Sequence, residues 1–302
     1  KALELSQRAL QISREIKNSD EETDALIVLG ENYCNAGDWR RSLDIFQQAA
    51  RLSHVFGKSR EEAKALTMAG LMYYLLQEYT QAMEFLDQAV TLSRGLAAQS
   101  EEAFALNILA EVYRSKGEKN KAKEARLRAL TLYRNLGDVI AEAETLHNIG
   151  WLHFHFEDYQ SAIEYHAQAA QVYRQGNHRV GEANSLRGLG RAYGALGQTE
   201  KGIDLCRQAI ALVRKSGEPA WEALAFYALA QLSFSSGRLA EARESLEAAL
   251  QLHESVRANV ANWELRAFHQ ASSHYYYLFY VDVLMRMHEQ NKAAGYDAAA
   301  LQ

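Results

Sequence analysis

Apolar residues follow helical spacing along almost the whole chain, returning every three, four and seven positions. One stretch with this spacing contains Leu26, Leu29, Tyr33, Leu43, Phe46 and Ala50. Gly37 and Asp38 interrupt it, and glycine readily adopts the left-handed conformation that ends a helix. The pattern therefore predicts two amphipathic helices joined by a short turn.

The two-helix pattern recurs every 40 residues. A small residue marks one position of each copy, at Gly30, Gly70, Ala110, Gly150, Gly190 and Ala230. A second position is always alanine, at Ala49, Ala89, Ala129, Ala169, Ala209 and Ala249. Small residues are expected where two helix axes approach closely. A second break recurs at Gly57, Gly137 and Gly217, with Asn177 in the same place. Because one hairpin cannot bury its apolar face alone, the copies are predicted to stack into an α-solenoid.

Composition and charge exclude several classes of protein. The 302 residues include one proline and 18 glycines, too few for the many turns of a β-sandwich or barrel. The net charge is −5 and no long run of like charges occurs, so binding to nucleic acid or to an anionic membrane is not expected. No apolar stretch is long enough to span a bilayer. Cys34 and Cys206 are too far apart in sequence for a disulfide framework, and we expect a cytoplasmic fragment of a longer protein.

A small residue, an aromatic residue three positions later and alanines in the second helix resemble the tetratricopeptide repeat (TPR). The resemblance covers about residues 1–255 and implies a right-handed solenoid of antiparallel hairpins. Residues 1–22 are expected to be a partial repeat, followed by six full repeats from about residue 23. The period of 40 exceeds the usual one of about 34, and it is similar to the repeats of spindle-orientation adaptors and kinesin light chains.

The last 47 residues depart from the repeat. Residues 256–302 are predicted to form capping or linker helices, with one long helix beginning near Asn259. Its helically spaced residues, expected to pack over the sixth repeat, are Leu265, Phe268, Ser272, Tyr276, Phe279, Val283 and Met287. The run from Glu264 to Gln302 resembles the segment that precedes the caspase-like CHAT domain in bacterial proteins. That resemblance implies a sensing or regulatory arm of a larger protease.

The sequence predicts no catalytic residue, metal site or cofactor. His147 and His155 are two helical turns apart, about 12 Å, which is too far to share one ion. The glycines between Arg187 and Gly197 lie inside a predicted helix and not after a strand, so they do not form a phosphate-binding loop. The two cysteines are expected to be small buried apolar residues.

Binding is the remaining function, and the resemblance indicates where. In TPR arrays the first helix of each pair lines a concave groove, and Asn148 matches the asparagine that holds a peptide backbone in many of these proteins. Ile108 and Gly188 occupy the same position in other copies, so a repeated carboxylate clamp is not implied. The groove residues carried over are Tyr74, Asn107, Glu111, Arg114, His147, Asn148, Trp151, His155, Arg187, Arg191, Tyr227 and Gln231.

These observations predict a protein-interaction module that binds a peptide or protein segment carrying acidic residues. The alternatives are a self-associating scaffold and the ligand-sensing arm of a bacterial transcription regulator. Arginines recur near the end of four successive second helices, at Arg94, Arg134, Arg174 and Arg214, and they are expected to stabilise the helix terminus and its free carbonyls.

Overall fold

The computed structural model describes residues 2–16, 18–258, 263–292, 295–296 and 300, and it describes their side chains except at 257–258 and 263–274. The described part contains fourteen α-helices and no strand, so the all-helical prediction is confirmed. The helices are α1 (Ala2–Glu15), α2 (Ser19–Asn35), α3 (Trp39–Val55), α4 (Ser59–Leu75), α5 (Tyr79–Gly95), α6 (Gln99–Ser115), α7 (Lys119–Leu136), α8 (Val139–His155), α9 (Tyr159–Gln175), α10 (Arg179–Ala195), α11 (Thr199–Arg214), α12 (Pro219–Ser235), α13 (Leu239–Ala258) and α14 (Trp263–Gln290).

The helices from α2 to α13 form six antiparallel pairs, in each of which we call the first helix A and the second helix B. The A helices are α2, α4, α6, α8, α10 and α12, and their first residues lie 40 positions apart. The first pair begins at Ser19, whereas the sequence placed the first full repeat near residue 23. Helices that are consecutive in each pair pack on one another, as in a TPR solenoid.

Every turn between these helices contains one residue with left-handed backbone, spaced 20 positions apart. Most of these residues are glycines, but Gln77, Ala97, Glu157 and Asn177 also have φ values between 53° and 63°. The turns that contain a recurring glycine or Asn177 were predicted correctly from the sequence. Ala97 was not foreseen, and Gly95, two residues earlier, still belongs to α5.

The chain divides into two compact units, residues 1–138 and 139–302. Within each unit, neighbouring A helices contact one another: α2, α4 and α6 in the first, and α8, α10 and α12 in the second. The recurring small residue of helix A faces one buried side chain of helix B. A methyl group added at Gly30 would lie 2.8 Å from Phe46, and one at Gly70 would lie 2.6 Å from Leu86. Glycine is therefore required there by close helix packing.

Three of the recurring arginines of the B helices, Arg94, Arg174 and Arg214, pair with a glutamate eight residues later, in the first turn of the next A helix, and Arg14 of α1 does the same. The distance between Nε and Oε1 is 2.8 Å for Arg14–Glu22, 3.3 Å for Arg94–Glu102, 2.6 Å for Arg174–Glu182 and 2.8 Å for Arg214–Glu222. These arginines lie in the last turn of their helices, as expected, and they also link one repeat to the next.

Helix α14 packs on the sixth helix pair. Tyr276 and Val283 are buried among Ala242, Leu246 and Ala249 of α13, with Phe279, Tyr280 and Met287 beside them. The predicted start at Asn259 and the side chains of Leu265, Phe268 and Ser272 lie outside the described part. None of the described helices combines the length and apolar character that crossing a membrane requires.

Candidate binding site

In residues 1–138, the predicted groove residues form a network that satisfies its own charges. Arg126 of helix B is buried and donates from Nη1 to Asn107 Oδ1 at 2.8 Å and from Nη2 to Glu111 Oε1. Arg114 Nε donates to the other oxygen of Glu111 at 2.8 Å, and its Nη2 lies 3.5 Å from the Tyr74 hydroxyl. Burial alone would raise the pKa of Glu111, but the two arginines lower it. The carboxylate is therefore ionised and already paired.

In residues 139–302, two arginines gather around one tryptophan without such a partner. The guanidinium carbons of Arg187 and Arg191 lie 5.1 and 5.0 Å from the Trp151 ring centroid, and Arg191 also lies 5.0 Å from the Phe154 ring. Burial, together with repulsion from Arg191, lowers the pKa of Arg187 to about 10. Burial likewise lowers the pKa of Arg191. Among the described side chains, neither arginine has a carboxylate within ion-pair distance.

Hydrogen bonds hold this cluster in place. Trp151 Nε1 donates to His147 Nε2 at 2.8 Å, and Asn184 Nδ2 lies 3.1 Å from the same nitrogen. Because the indole N–H can only donate, His147 Nε2 accepts the hydrogen bond. The neutral His147 ring therefore carries its proton on Nδ1, which lies 3.4 Å from Ser185 Oγ. Asn184 Oδ1 accepts from Arg187 Nε and Nη2 at 3.1 and 2.5 Å. Asn184 thus links the histidine to the arginine.

His166 of α9 lies beneath the cluster and is fully buried. Its ring centroid is 4.9 Å from that of His147 and 5.2 Å from that of Trp151. Neither ring nitrogen has a hydrogen-bond partner among the described atoms. Burial first, and then the neighbouring His147, Arg187 and Arg191, lower the pKa of His166 well below its usual value. The ring is therefore neutral at physiological pH.

The remaining predicted residues occupy different surroundings. Asn148 lines a pocket beside the cluster, and its amide makes no hydrogen bond within the described part. His155 is exposed, with its ring centroid 6.5 Å from that of Trp151. Tyr227 is contacted by aromatic rings of α14 at centroid distances of 4.7 to 5.7 Å, and it is hydrogen-bonded to Gln231. These last two residues therefore line the contact with the terminal helix.

Several residues that shape the two clusters were missed by sequence reasoning. Arg126 and His166 lie on B helices, where the TPR resemblance expects core residues. Both occupy the buried position that is Phe46, Leu86 and Leu246 in other repeats. A polar residue at a position that is apolar in the other repeats is the feature of the sequence that could have identified them. Asn184 could have been found from its place one helical turn before Arg187.

No group of three or more metal-ligating side chains is present in the part of the chain that the structure describes. The two cysteines are free, and burial raises the pKa of Cys206 to about 12, which keeps it protonated. The chemistry that the clusters offer is therefore hydrogen bonding and charge pairing.

Comparison with known proteins identifies the fold. The chain resembles many solved structures, among them the following three. The Rap protein complexed with competence and sporulation factor is 17% identical with a TM-score of 0.61, over 90% of this chain and 77% of that chain. Aspartyl phosphate phosphatase F from Bacillus subtilis is 14% identical with a TM-score of 0.68, over 97% and 72%. A signal transduction ATPase (STAND protein) with a tetratricopeptide repeat sensor from Pyrococcus horikoshii is 14% identical with a TM-score of 0.67, over 93% and 43%.

No curated protein matches the sequence. The sequence profile of the tetratricopeptide repeat matches residues 21–95, 96–175 and 181–255, which together make up most of the chain. The helix pairs, the small residues at their closest approach and this match agree. The chain therefore belongs to the tetratricopeptide repeat family, whose fold is a protein-interaction fold.

Proposed function

We propose that the A helices of residues 139–302 bind an extended segment of a protein partner, with an acidic side chain of that segment held by Arg187 and Arg191. The observation that supports this proposal is the pair of half-buried guanidinium groups around Trp151 without a carboxylate partner among the described side chains. An aromatic face does not use the in-plane N–H groups of an arginine. Nε and Nη2 of Arg187 donate to Asn184, which leaves Nη1 of Arg187 and the guanidinium of Arg191 to bond a carboxylate. Hydrogen bonds to a charged group contribute about 1.5–3 kcal/mol each.

Asn148 would hold the backbone of the bound segment. Its side chain is half-buried, lies one helical turn before Trp151 and has no hydrogen bond within the described part. A primary amide can donate to a peptide carbonyl and accept from a peptide N–H at once, which suits an extended chain. A solved structure of similar fold is that of a Rap protein complexed with competence and sporulation factor, which agrees with a binding role.

The other unit is a poorer candidate for the same ligand. Glu111 already pairs with Arg126 and Arg114, and Asn107 accepts from Arg126. An acidic ligand there would have to displace an internal carboxylate. We therefore assign partner binding to residues 139–302.

The test is selection from a library of random peptides of about 12 residues displayed on phage. The wild-type chain should enrich peptides with Asp or Glu. A triple variant, Asn148→Ala, Arg187→Ala and Arg191→Ala, should lose them while its melting temperature stays nearly unchanged. A matched control, Lys201→Ala with Lys215→Ala, also removes two cations from the unit and should select as the wild type does. Full-strength selection of the same peptides by the triple variant would refute the proposal.

We further propose that the array is the sensing arm of a caspase-like CHAT protein, on the basis of the similarity carried by residues 264–302. Tyr275 and Tyr276 of α14 lie beside Tyr227 and close to Arg187, so an occupied site would contact the terminal helix. The reading frame downstream of Gln302 should encode a Cys/His peptidase whose activity changes on adding a selected peptide. A helix-turn-helix domain in that position would instead favour a transcription regulator.

A further inference from the structure

A pocket of about 230 Å³ lies next to the arginine pair, among α8, α10, the end of α9 and the first turn of α12. Tyr173, Val180 and Trp221 form its apolar walls, and its polar lining is Glu144, His147, Asn148, His178 and Asn184. This volume is below the range of about 300–1,000 Å³ that drug-sized ligands occupy, so it suits one side chain. Trp221 is 38% exposed, which leaves its ring available to an incoming group.

The pocket and the arginine pair are parts of one surface. Asn184 lines the pocket and also accepts from Arg187, and His147 lines the pocket and also accepts from Trp151. The far side of the pocket is formed by Glu144 on α8 and Val180 on α10, which precede Trp151 and Arg187 by seven positions. At about 1.5 Å per residue, the two places are about 10 Å apart along the helices. An extended chain covers that distance in about three residues.

We propose that this surface reads a two-point motif: an apolar side chain in the pocket and an acidic side chain two to four residues away, between Arg187 and Arg191. The inference deepens the proposed function and rests on it, because it names which protein segments the site accepts. Acidic residues alone are common in proteins, whereas an apolar residue at a fixed distance from an acid selects a small fraction of them. The pocket thus supplies the specificity and the arginines supply the charge pairing.

The equivalent pocket three repeats earlier has a different character. It is lined by Asp24, Arg60 and Lys64, with Arg60 paired to Glu101 and Lys64 paired to Glu31. In residues 139–302 the corresponding positions are Glu144, Val180 and Asn184, and Trp221 stands where the first unit has Glu101. The first pocket has the Arg60–Glu101 ion pair beside Ile27 and Val28, whereas the second has Val180 and Trp221 at the positions of that ion pair. An apolar side chain entering the second pocket would therefore meet two apolar walls where the first pocket has a charged pair.

The experiment repeats the selection from the random peptide library with three proteins. Wild type should enrich peptides in which an aliphatic or aromatic residue precedes or follows Asp or Glu by two to four positions. Trp221→Ala should keep the acidic preference and lose the apolar one, and it should bind a synthetic wild-type-selected peptide about tenfold or more weakly, as expected for loss of an aromatic anchor. Arg187→Gln with Arg191→Gln should keep the apolar preference and lose the acidic one.

The outcomes separate this inference from the proposed function. Acidic peptides without any positional apolar preference, or an apolar preference that Trp221→Ala leaves unchanged, would overturn the two-point motif while partner binding stood. If wild type selected peptides without a preference for Asp or Glu, and the Asn148, Arg187 and Arg191 triple variant selected the same peptides, both the two-point motif and the proposed function would be overturned. Because Trp221 lies in the first turn of α12 and is partly exposed, its truncation should leave the melting temperature within a few degrees of wild type.

Discussion

Replacing His166 with leucine should stabilise residues 139–302 and make them less sensitive to acid. His166 is fully buried, and neither ring nitrogen has a partner among the described atoms. Leucine fills the equivalent position of the second repeat, where Leu86 packs against Gly70 as His166 packs against Gly150. The substitution therefore places at residue 166 the side chain that the second repeat has at the equivalent buried position.

The magnitude has two parts. A buried polar group without a hydrogen bond costs about 1–3 kcal/mol, so a gain of this order is expected at about pH 8. The second part depends on pH, because the folded protein keeps the pKa of His166 well below that of the unfolded chain, about 6.5. As the pH falls below 6.5, His166 is protonated in the unfolded chain but not in the folded chain, so the free energy of unfolding decreases. At about pH 5.5 this loss amounts to about 1.4 kcal/mol.

The assay is urea unfolding of wild type and His166→Leu at about pH 8 and pH 5.5. The stability difference between the two proteins should grow by about 1.4 kcal/mol at the lower pH. The reverse substitution in the second repeat, Leu86→His, is the control and should be both destabilising and newly acid-sensitive. An equal loss of stability on acidification in wild type and His166→Leu would refute the argument that His166 is held neutral by its surroundings.

Three further predictions concern the turns, the inter-repeat ion pairs and the arginine cluster. Ala97→Gly should raise the free energy of unfolding by about 0.5–1 kcal/mol, since alanine is strained at φ 53° and glycine is not. Glu182→Gln should lower it by about 0.5–1 kcal/mol, less at high salt, because Arg174 is largely exposed. Trp151→Glu should weaken binding of wild-type-selected acidic peptides at least about tenfold, because the new carboxylate occupies the arginines.

The first two of these predictions have matched controls. Ala211→Gly changes an exposed alanine inside α11, where the backbone is helical, and it should destabilise. Glu164→Gln removes an exposed glutamate from α9, the helix that carries Arg174, and should change little. If Ala97→Gly and Ala211→Gly destabilised equally, the strain argument would be wrong. A loss in Glu182→Gln that did not respond to salt would show that the effect is not electrostatic.

Sequence alone predicted the hairpins and most of their turns, because the same residue types recur wherever helices pack closely or a turn needs left-handed backbone. It missed Ala97, since the left-handed turn there is imposed by backbone bonds, Ala97 N to Arg94 O and Ala98 N to Ser93 O, and not by a residue that prefers it. It also missed the ion-pair partners of the periodic arginines. A glutamate stands eight residues after each one, but only the folded turn shows that this spacing brings the two charges together.

The sequence predicted which helix face the candidate site lies on, but it did not predict the side-chain contacts within the site. Helical spacing places Asn107 and Glu111 on the same face as His147 and Trp151, one repeat apart. Whether those residues are available to a ligand depends on a side chain from helix B. In one repeat Arg126 donates hydrogen bonds to both Glu111 and Asn107. The reach of a long arginine across a hairpin is set by packing, so spacing along one helix cannot reveal it.

Comparison of the two units explains why Trp151→Glu is expected to act as it does. Glu111, held by Arg126 and Arg114, shows how this array binds a carboxylate between two arginines. Trp151 occupies the equivalent position one repeat later, where Phe154 and His166 replace the two arginines of that pair. The arginines beside Trp151 are instead Arg187 and Arg191 of the next A helix. A glutamate at 151 would supply internally what we propose a partner supplies. Trp151→Gln, which removes the ring without adding charge, should keep the preference for acidic peptides. If both variants bound those peptides equally, charge pairing with Arg187 and Arg191 could not be the basis of recognition.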